Sequence, residues 1–253
     1  MRLIAWLPLC FVLACQSKPE ERELRSGPVG TLIGEVVLAP DAQLPAYTPL
    51  DLVRRPLRAH SLPDPPSECT EANETARTAV SLAPEGRLRG VVIAASDFTR
   101  VHERQTKHHK LKIEHCRLQP TIIAAQGGDT LDLENLDDYD FEPLMGPSYQ
   151  GRVLRRGKTL ELPLMASGID IVQCTLGAPC GRTDLLVFHH PVHTVSDDAG
   201  YFRIPNFPAG ELVRVTAWHP LFEPTETFVW IEPGQQTSVK LQLTPKTRFV
   251  AKP

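Results

Sequence analysis

The chain has 253 residues, 42% of them hydrophobic, with 27 lysines and arginines against 30 aspartates and glutamates. A net charge of −3 lacks the basic excess that nucleic-acid binders need, so we expect no nucleic-acid partner. The 24 prolines are close to twice the usual share of about 5%, and proline interrupts helices. These figures exclude a helical bundle and predict a β-rich body.

The chain begins with an apolar run at residues 3–14. At about 1.5 Å per helical residue this run spans roughly 18 Å, well short of the ~30 Å hydrocarbon layer of a membrane. It is therefore interpreted as part of a secretion signal, residues 1–14.

The run ends in Val12-Leu13-Ala14-Cys15, which resembles the lipobox of bacterial lipoproteins. The resemblance implies that Cys15 is lipidated, that 15–28 is a lipidated tether, and that a bacterial membrane is one partner. We expect the cell envelope as location, with the outer membrane favoured and the body in the periplasm or at the cell surface. The alternative is an ordinary signal peptide with a chance cysteine.

Alternation of apolar and polar residues dominates the rest of the chain and predicts half-buried strands. The predicted strands are 31–38, 88–95, 109–116, 120–126, 131–135, 160–164, 168–174, 183–190, 201–205, 213–217, 226–232 and 239–243. Residues 68–80 are the one candidate helix, and the proline-rich 39–67 predicts a long connection. The pattern of short strands separated by Gly, Pro and Asp predicts an all-β fold.

Four cysteines remain once those of the signal and the lipid are set aside: Cys69, Cys116, Cys174 and Cys180. An even number in an oxidising compartment predicts two disulfides, with three possible pairings. We favour Cys69–Cys116 and Cys174–Cys180. The alternative is a zinc site formed by Cys174 and Cys180 with two histidines, His189 and His193.

The stretch 195–210 combines an Asp-x-x-Gly turn at 197–200 with alternating apolar residues and a second turn at Gly210. It resembles the carboxypeptidase regulatory-like domain, a transthyretin-like β-sandwich, which implies such a domain at 191–245 and a tail at 246–253. The first strand of that family usually has a Gly-x-Val form, and Gly34-Glu35-Val36 offers it. A discontinuous module is therefore a second possibility.

The middle of the chain, through 116–135, 168–174 and 185–188, resembles a cupredoxin. The resemblance implies a cupredoxin-like sandwich at 29–190, packed against the second sandwich. Copper-binding cupredoxins supply two histidines, a cysteine and a methionine. Here 135–141 contains no histidine, and Gly177 and Cys180 stand at the other two altered positions, so only Cys174 remains. We expect a fold without its copper and no bound cofactor.

A histidine-rich segment occupies His189-His190-Pro191-Val192-His193. On one strand, His189 and His193 would lie about 13 Å apart. That distance is too long for one metal, so we expect solvent-facing or hydrogen-bonded imidazoles. The competing hypothesis is a copper-binding or electron-transfer protein with rearranged ligands: Cys174 or Cys180 with His189, His190 or His193.

Three other clusters have two interpretations each. The acidic run 137–142 would bind calcium or form a solvated loop, and the loop is favoured because the spacing is irregular. The basic stretch 97–112 would contact anionic lipid headgroups or form a solvated hairpin, and the hairpin is favoured. Trp218 and Trp230 would stack on sugars or pack in the core, and the core is favoured because both lie on alternating strands.

The sequence carries no G-x-S-x-G elbow, no H-E-x-x-H and no Gly-rich phosphate loop. We therefore expect a chain that is not an enzyme, with an uncharacterised hydrolase as an alternative. The expected role is binding or structural, towards a protein or carbohydrate partner in the envelope, and rests on fold analogy.

Overall fold

The computed structural model describes residues 26–45, 66, 67, 69, 80, 82–102, 104–146, 152–176 and 179–246, with backbone alone at 175 and 176. These residues form eighteen strands and a short 3-10 helix, Pro84–Gly86. In chain order the strands are β1 (Val29–Leu38), β2 (Leu82–Ala83), β3 (Arg87–Leu88), β4 (Val92–Ser96), β5 (His108–Glu114), β6 (Arg117–Gln119), β7 (Ile122–Gln126), β8 (Thr130–Asn135), β9 (Glu142–Met145), β10 (Thr159–Pro163), β11 (Gly168–Leu176), β12 (Arg182–Phe188), β13 (His193–Val195), β14 (Tyr201–Pro208), β15 (Leu212–Trp218), β16 (Phe222–Glu223), β17 (Thr225–Trp230) and β18 (Gln236–Pro245).

The predicted all-β fold is confirmed. The alternation that predicted the long strands is also the alternation of their burial: in β8, Leu131, Leu133 and Asn135 are buried and the residues between them are half-buried. The prediction missed β2, β6, β9, β13 and β16, which have two to four residues. So few residues show too little alternation to be recognised.

The first hydrophobic core, core 1, joins the first and the last of the described strands. β1 pairs antiparallel with β14 and parallel with β18, and the β13-β4-β15-β17 sheet packs on the other side of the core. A Cβ at Gly34 would overlap the Val239 carbonyl oxygen and the Phe202 ring, so the Gly-x-Val pattern of β1 marks a close approach of strands.

This pairing corrects the domain boundaries expected from the sequence. Residues 29–38 and 82–96 fall in the cupredoxin-like domain expected at 29–190, yet β1, β3 and β4 contribute to core 1 together with β14–β18. The boundary differs because β1 fills the position between β14 and β18, and β4 the position between β13 and β15, all of which follow residue 191. The sandwich around core 1 is therefore built from two separate stretches of the chain.

The second core, core 2, is formed by the middle of the chain. The β10-β8-β5-β6 and β7-β12-β11-β9 sheets enclose Leu111, Leu133, Phe141, Val172 and Leu185, all fully buried. Both disulfides that the sequence favoured are present in this core, Cys69–Cys116 and Cys174–Cys180.

The two sandwiches pack against each other through the outer faces of two sheets. β4 directs Ile93 into core 1 and Val92 outwards, while β12 directs Leu185 into core 2 and Leu186 outwards. Val92, Leu186 and Ile122 of β7 form a third apolar cluster between the sandwiches. Successive strand residues point to opposite faces. A continuous apolar run in β4 and β12 therefore buries one face in a core and the other in the cluster between the sandwiches.

Several predictions fall on residues outside the described ones: the signal 1–14, most of the tether 15–28 and of the connection 39–67, the tail from 247 onwards, and the helix 68–80 apart from Cys69 and Val80. Within the described residues, no helix has the length and apolar character needed to cross a membrane.

Candidate functional site

The histidine-rich segment that follows β12 lies where the two sandwiches meet. The His189 Nε2 lies 2.8 Å from the Ser167 hydroxyl, at the start of β11. His190 and His193 instead pack around Phe188, with ring centroids 5.7 and 4.7 Å away. Each of the three histidines has a hydrogen-bond partner, which is one of the two states expected from the sequence, whereas the packing on Phe188 was not expected.

Burial controls the charge of two of these imidazoles. It lowers the pKa of His190 to about 4, helped by repulsion from the neighbouring His189. Burial likewise lowers the pKa of His193 to about 4, although its Nδ1–H donates to the His190 carbonyl oxygen over 3.0 Å and opposes the shift. Both rings are therefore neutral at neutral pH.

The cysteines do not form the zinc or rearranged copper site that the sequence left open. Cys174 and Cys180 are 2% and 1% exposed and joined in a disulfide, so neither offers a thiolate. Gly168 pairs with Val187 and Gln173 with Arg182, so Cys174 and His189 stand at opposite ends of β11 and β12. Six residues of strand separate those ends by about 20 Å, too far for one metal ion.

In the segment 135–141, where the cupredoxin resemblance implies a first histidine ligand and none is present, Asn135 has a structural role. Its side-chain amide is fully buried and donates to the Tyr139 and Leu154 carbonyl oxygens over 2.7 and 3.1 Å, and its Oδ1 accepts from the Asp137 backbone N–H. Gly177 lies outside the described residues. Across the described part of the chain, no three His, Cys, Asp or Glu side chains come together in a group able to hold a metal ion.

The acidic run 137–142 is not simply a solvated loop. Asp137 accepts hydrogen bonds from the backbone N–H groups of His115 and Cys116, each over 2.7 Å. Tyr139 and Phe141 are buried in core 2 with an edge-to-face contact. These contacts hold the run against the turn between β5 and β6, because the carboxylate satisfies backbone donors there.

The basic stretch 97–112 also differs from the solvated hairpin expected, because its centre surrounds a buried carboxylate. Asp129 is 1% exposed and accepts from the Arg104 guanidinium over 3.0 and 2.5 Å and from His109 Nε2 over 2.8 Å. The backbone N–H groups of Lys107 and Gln126 add two further bonds. Burial raises the pKa of Asp129, but the bonds from Arg104 and its other donors outweigh this and hold it well below its usual value. Asp129 was not predicted from the sequence, although an acidic residue directly before an alternating strand is visible there.

The gap between the sandwiches widens into an apolar cleft of about 510 Å³. Its walls are the outward-facing residues of four strands, chiefly Val92, Leu186, Phe188, Trp218 and Ile169. Polar groups lie among them: Ser96, Ser167, His189, His190 and Thr216. The cleft is within the ~300–1,000 Å³ range of small-molecule sites and has the mixture of apolar walls and few polar groups that such sites show.

The same sheet face continues beyond the cleft into solvent, and here one prediction is wrong. Trp230 is 51% exposed rather than packed in the core, since Val229 and Ile231 occupy the buried side of its strand. Phe228 and Leu212 are exposed beside it, 56% and 55%. Trp218, in contrast, is half-buried in the wall of the cleft.

The sequence matches no protein-family model and no curated protein. Several solved cupredoxins resemble part of it. The Cu(I) form of an amicyanin mutant is 15% identical, with 31% of this chain and 79% of the amicyanin covered and a TM-score of 0.29. Amicyanin from Paracoccus versutus is 14% identical over 31% of this chain and 78% of its own, with the same TM-score. The purple cupredoxin from Nitrosopumilus maritimus is 14% identical over 31% of this chain and 97% of its own, at 0.28. These low scores describe a partial likeness to cupredoxins and support nothing further.

Proposed function

We propose that this chain is a lipid-anchored, non-catalytic binding protein of the bacterial envelope, whose body holds an apolar small molecule between its two sandwiches. The observation that carries the proposal is the cleft of about 510 Å³ walled by Phe188, Trp218 and Ile169. An apolar surface of this extent remains open where two sheet faces diverge, and a ligand that covers it gains roughly 25 cal/mol for each Å² removed from water.

The polar groups of the cleft define the chemistry of the ligand. Ser167 and His189 form a hydrogen-bonded pair on one side, and Ser96 and Thr216 offer hydroxyl groups on the other. The cleft therefore suits an aromatic or aliphatic molecule with one or two hydrogen-bonding groups. Described residues that line it include no acidic or permanently cationic side chain, so a neutral ligand is favoured.

The geometry of the Ser167–His189 pair favours binding over hydrolysis. A nucleophilic serine needs a histidine that a third group orients, commonly a carboxylate on the other ring nitrogen. Among the described residues, the hydrogen-bond partner of the His189 ring is the Ser167 hydroxyl, 2.8 Å from its Nε2. The pair is therefore assigned to ligand contact.

The envelope location rests on Val12-Leu13-Ala14-Cys15 and is supported by the two disulfides, which persist in oxidising compartments. Because both cores lie after residue 26, the lipid-free body (16–253) keeps every described strand. A Cys15→Ser variant should move the protein from the membrane to the soluble fraction of an expressing bacterium. Retention in the membrane would contradict the lipid anchor.

Binding in the cleft is tested with N-phenyl-1-naphthylamine, a neutral apolar probe that accepts energy from tryptophan. In the lipid-free body, Trp230→Phe leaves Trp218 as the single donor, so energy transfer reports probe bound beside it. In this background Ile169→Glu should weaken binding by at least about tenfold, because it replaces an apolar wall with a charge.

The matched control is Val153→Glu, since Val153 is 47% exposed against 58% for Ile169 and does not line the cleft. This control should leave probe binding within about twofold of the parent, as surface substitutions have small effects. Absence of saturable energy transfer, or equal loss in the two variants, would refute the cleft as a binding site.

A further inference from the structure

A second cavity, of about 650 Å³, opens on another side of the junction between the sandwiches. It lies between the segment that leads into β5 and the strands β13 and β14. Its basic lining residues are His102, Arg104, Lys107, His109, His193 and Arg203. No aspartate or glutamate is found among the described residues that line it, so Lys107 and Arg203 give the cavity a cationic wall.

The one carboxylate directly behind this wall is already saturated. Asp129 is 1% exposed and accepts hydrogen bonds from both Arg104 and His109. It therefore cancels the charge of Arg104, whereas Lys107 and Arg203 form no ion pair with any of the residues that the structure describes. Both of these side chains are exposed. The Arg203 guanidinium donates a long hydrogen bond, 3.3 Å, to the neutral Gln236 amide oxygen.

The start of the described chain lies at the edge of the cavity. His102 lines the cavity, and its Nε2–H donates to the Gly27 carbonyl oxygen over 3.0 Å. Ten residues, 16–25, separate the described chain from Cys15. Even fully extended, ten residues span at most about 35 Å. A lipid on Cys15 would thus keep the cavity close to the membrane surface.

We propose that the cationic cavity binds the phosphate group of an anionic membrane lipid and so orients the body on the membrane that anchors it. The inference rests on the proposed lipid anchor for its geometry. Phosphate oxygens carry negative charge and accept several hydrogen bonds, which Lys107 and Arg203 donate from the open side of the cavity. The cavity has room for a headgroup, while the acyl chains stay in the bilayer.

The test measures co-sedimentation of the lipid-free body with vesicles of phosphatidylcholine alone or with about one third phosphatidylglycerol, across a salt series. The body should bind the anionic vesicles and not the zwitterionic ones. Lys107→Gln/Arg203→Gln should weaken binding by about 30-fold, the expected effect of two cations at such a surface. The backbone N–H of Lys107 still donates to Asp129, so the variant retains that bond.

The matched control is Lys110→Gln/Arg155→Gln, which removes the same two charges from exposed positions outside the cavity. It should bind within about threefold of the parent, because distant surface charges are screened. Equal loss in both double variants would refute a site and show diffuse attraction instead. Binding of inorganic phosphate, by calorimetry, without a preference for anionic vesicles would overturn the lipid as its source.

These results are separable from failure of the proposed function. The lipid-free body has no anchor, so vesicle binding does not depend on whether Cys15 is lipidated. Binding of the neutral probe in the cleft should be the same in Lys107→Gln/Arg203→Gln as in the parent, because neither residue lines the cleft.

Discussion

The Asp129→Asn substitution tests the most concentrated electrostatic feature of the protein. The carboxylate is 1% exposed and accepts five hydrogen bonds: two from Arg104, one from His109 and two from backbone N–H groups. An asparagine keeps one oxygen acceptor and places an N–H₂ group against the other donors. At least two bonds to a charged group are lost, at about 1.5–3 kcal/mol each, and the Arg104 charge loses its partner. We expect the free energy of unfolding to fall by about 3–5 kcal/mol.

Urea unfolding of the oxidised lipid-free body, followed by circular dichroism at neutral pH, measures this loss. The control is Asp132→Asn on the same strand, because Asp132 is 21% exposed and contacts His108, which is 62% exposed. A surface pair of this kind contributes about 0–1 kcal/mol. A loss below about 1 kcal/mol in Asp129→Asn, or equal losses in the two variants, would refute the assignment of Asp129 as a structural centre.

The stability difference between the parent and Asp129→Asn should depend on pH, and its direction follows from the lowered pKa of Asp129. Hydrogen bonds hold the pKa of Asp129 in the folded protein below its unfolded value of about 3.9. The carboxylate therefore contributes its full stabilisation above pH ~4 and loses it as the pH falls towards the folded pKa. The stability difference between the parent and Asp129→Asn should be constant from about pH 8 to pH 5 and should narrow below pH ~4. A stability difference that already narrows between pH 8 and pH 5 would contradict the lowered pKa of Asp129.

Two further predictions concern the disulfides and a buried histidine. Replacement of Cys69 and Cys116 by alanine should cost about 4 kcal/mol, and of Cys174 and Cys180 about 2 kcal/mol, because the bridges span 47 and 6 residues and the longer loop loses more unfolded-state entropy. Thermal unfolding compares them, and the reverse order would contradict the argument. Burial lowers the pKa of His193 to about 4, so its contribution to stability is complete above pH ~6.5 and is lost as the pH falls towards 4. The His193 ring signal in NMR should not shift between about pH 7 and pH 5.5, and an inflection near pH 6.5 would contradict this.

Much of the fold was predictable because strand burial has a period of two. Residues 131–135 show the pattern in sequence and in structure, and so do 213–217. The same reasoning was wrong for Trp230: alternation shows that one side of a strand is buried, but Val229 takes the buried side there. When a strand is apolar on both sides, the side that faces the core depends on the strands that pack against it. The sequence alone does not identify those strands.

The sites were less predictable than the strands. The histidine segment was visible, and its expected hydrogen-bonded state agrees with the structure. Neither the cleft nor the cationic cavity was foreseen, because Ile169 and Trp218 in one, and Arg104 and Arg203 in the other, come from distant parts of the chain. The local spacing of residues does not predict which distant strands come together.

By itself the sequence determined the all-β class, the positions of the longer strands and the pattern of cysteines, because these follow from local alternation and from residue chemistry. The tertiary structure decided the rest. It placed β1 between β14 and β18, buried Asp129 among five donors, and brought two outward sheet faces together with a cleft between them. Each of these results depends on contacts between residues far apart in the chain, whose free energy is realised only when the sheets pack.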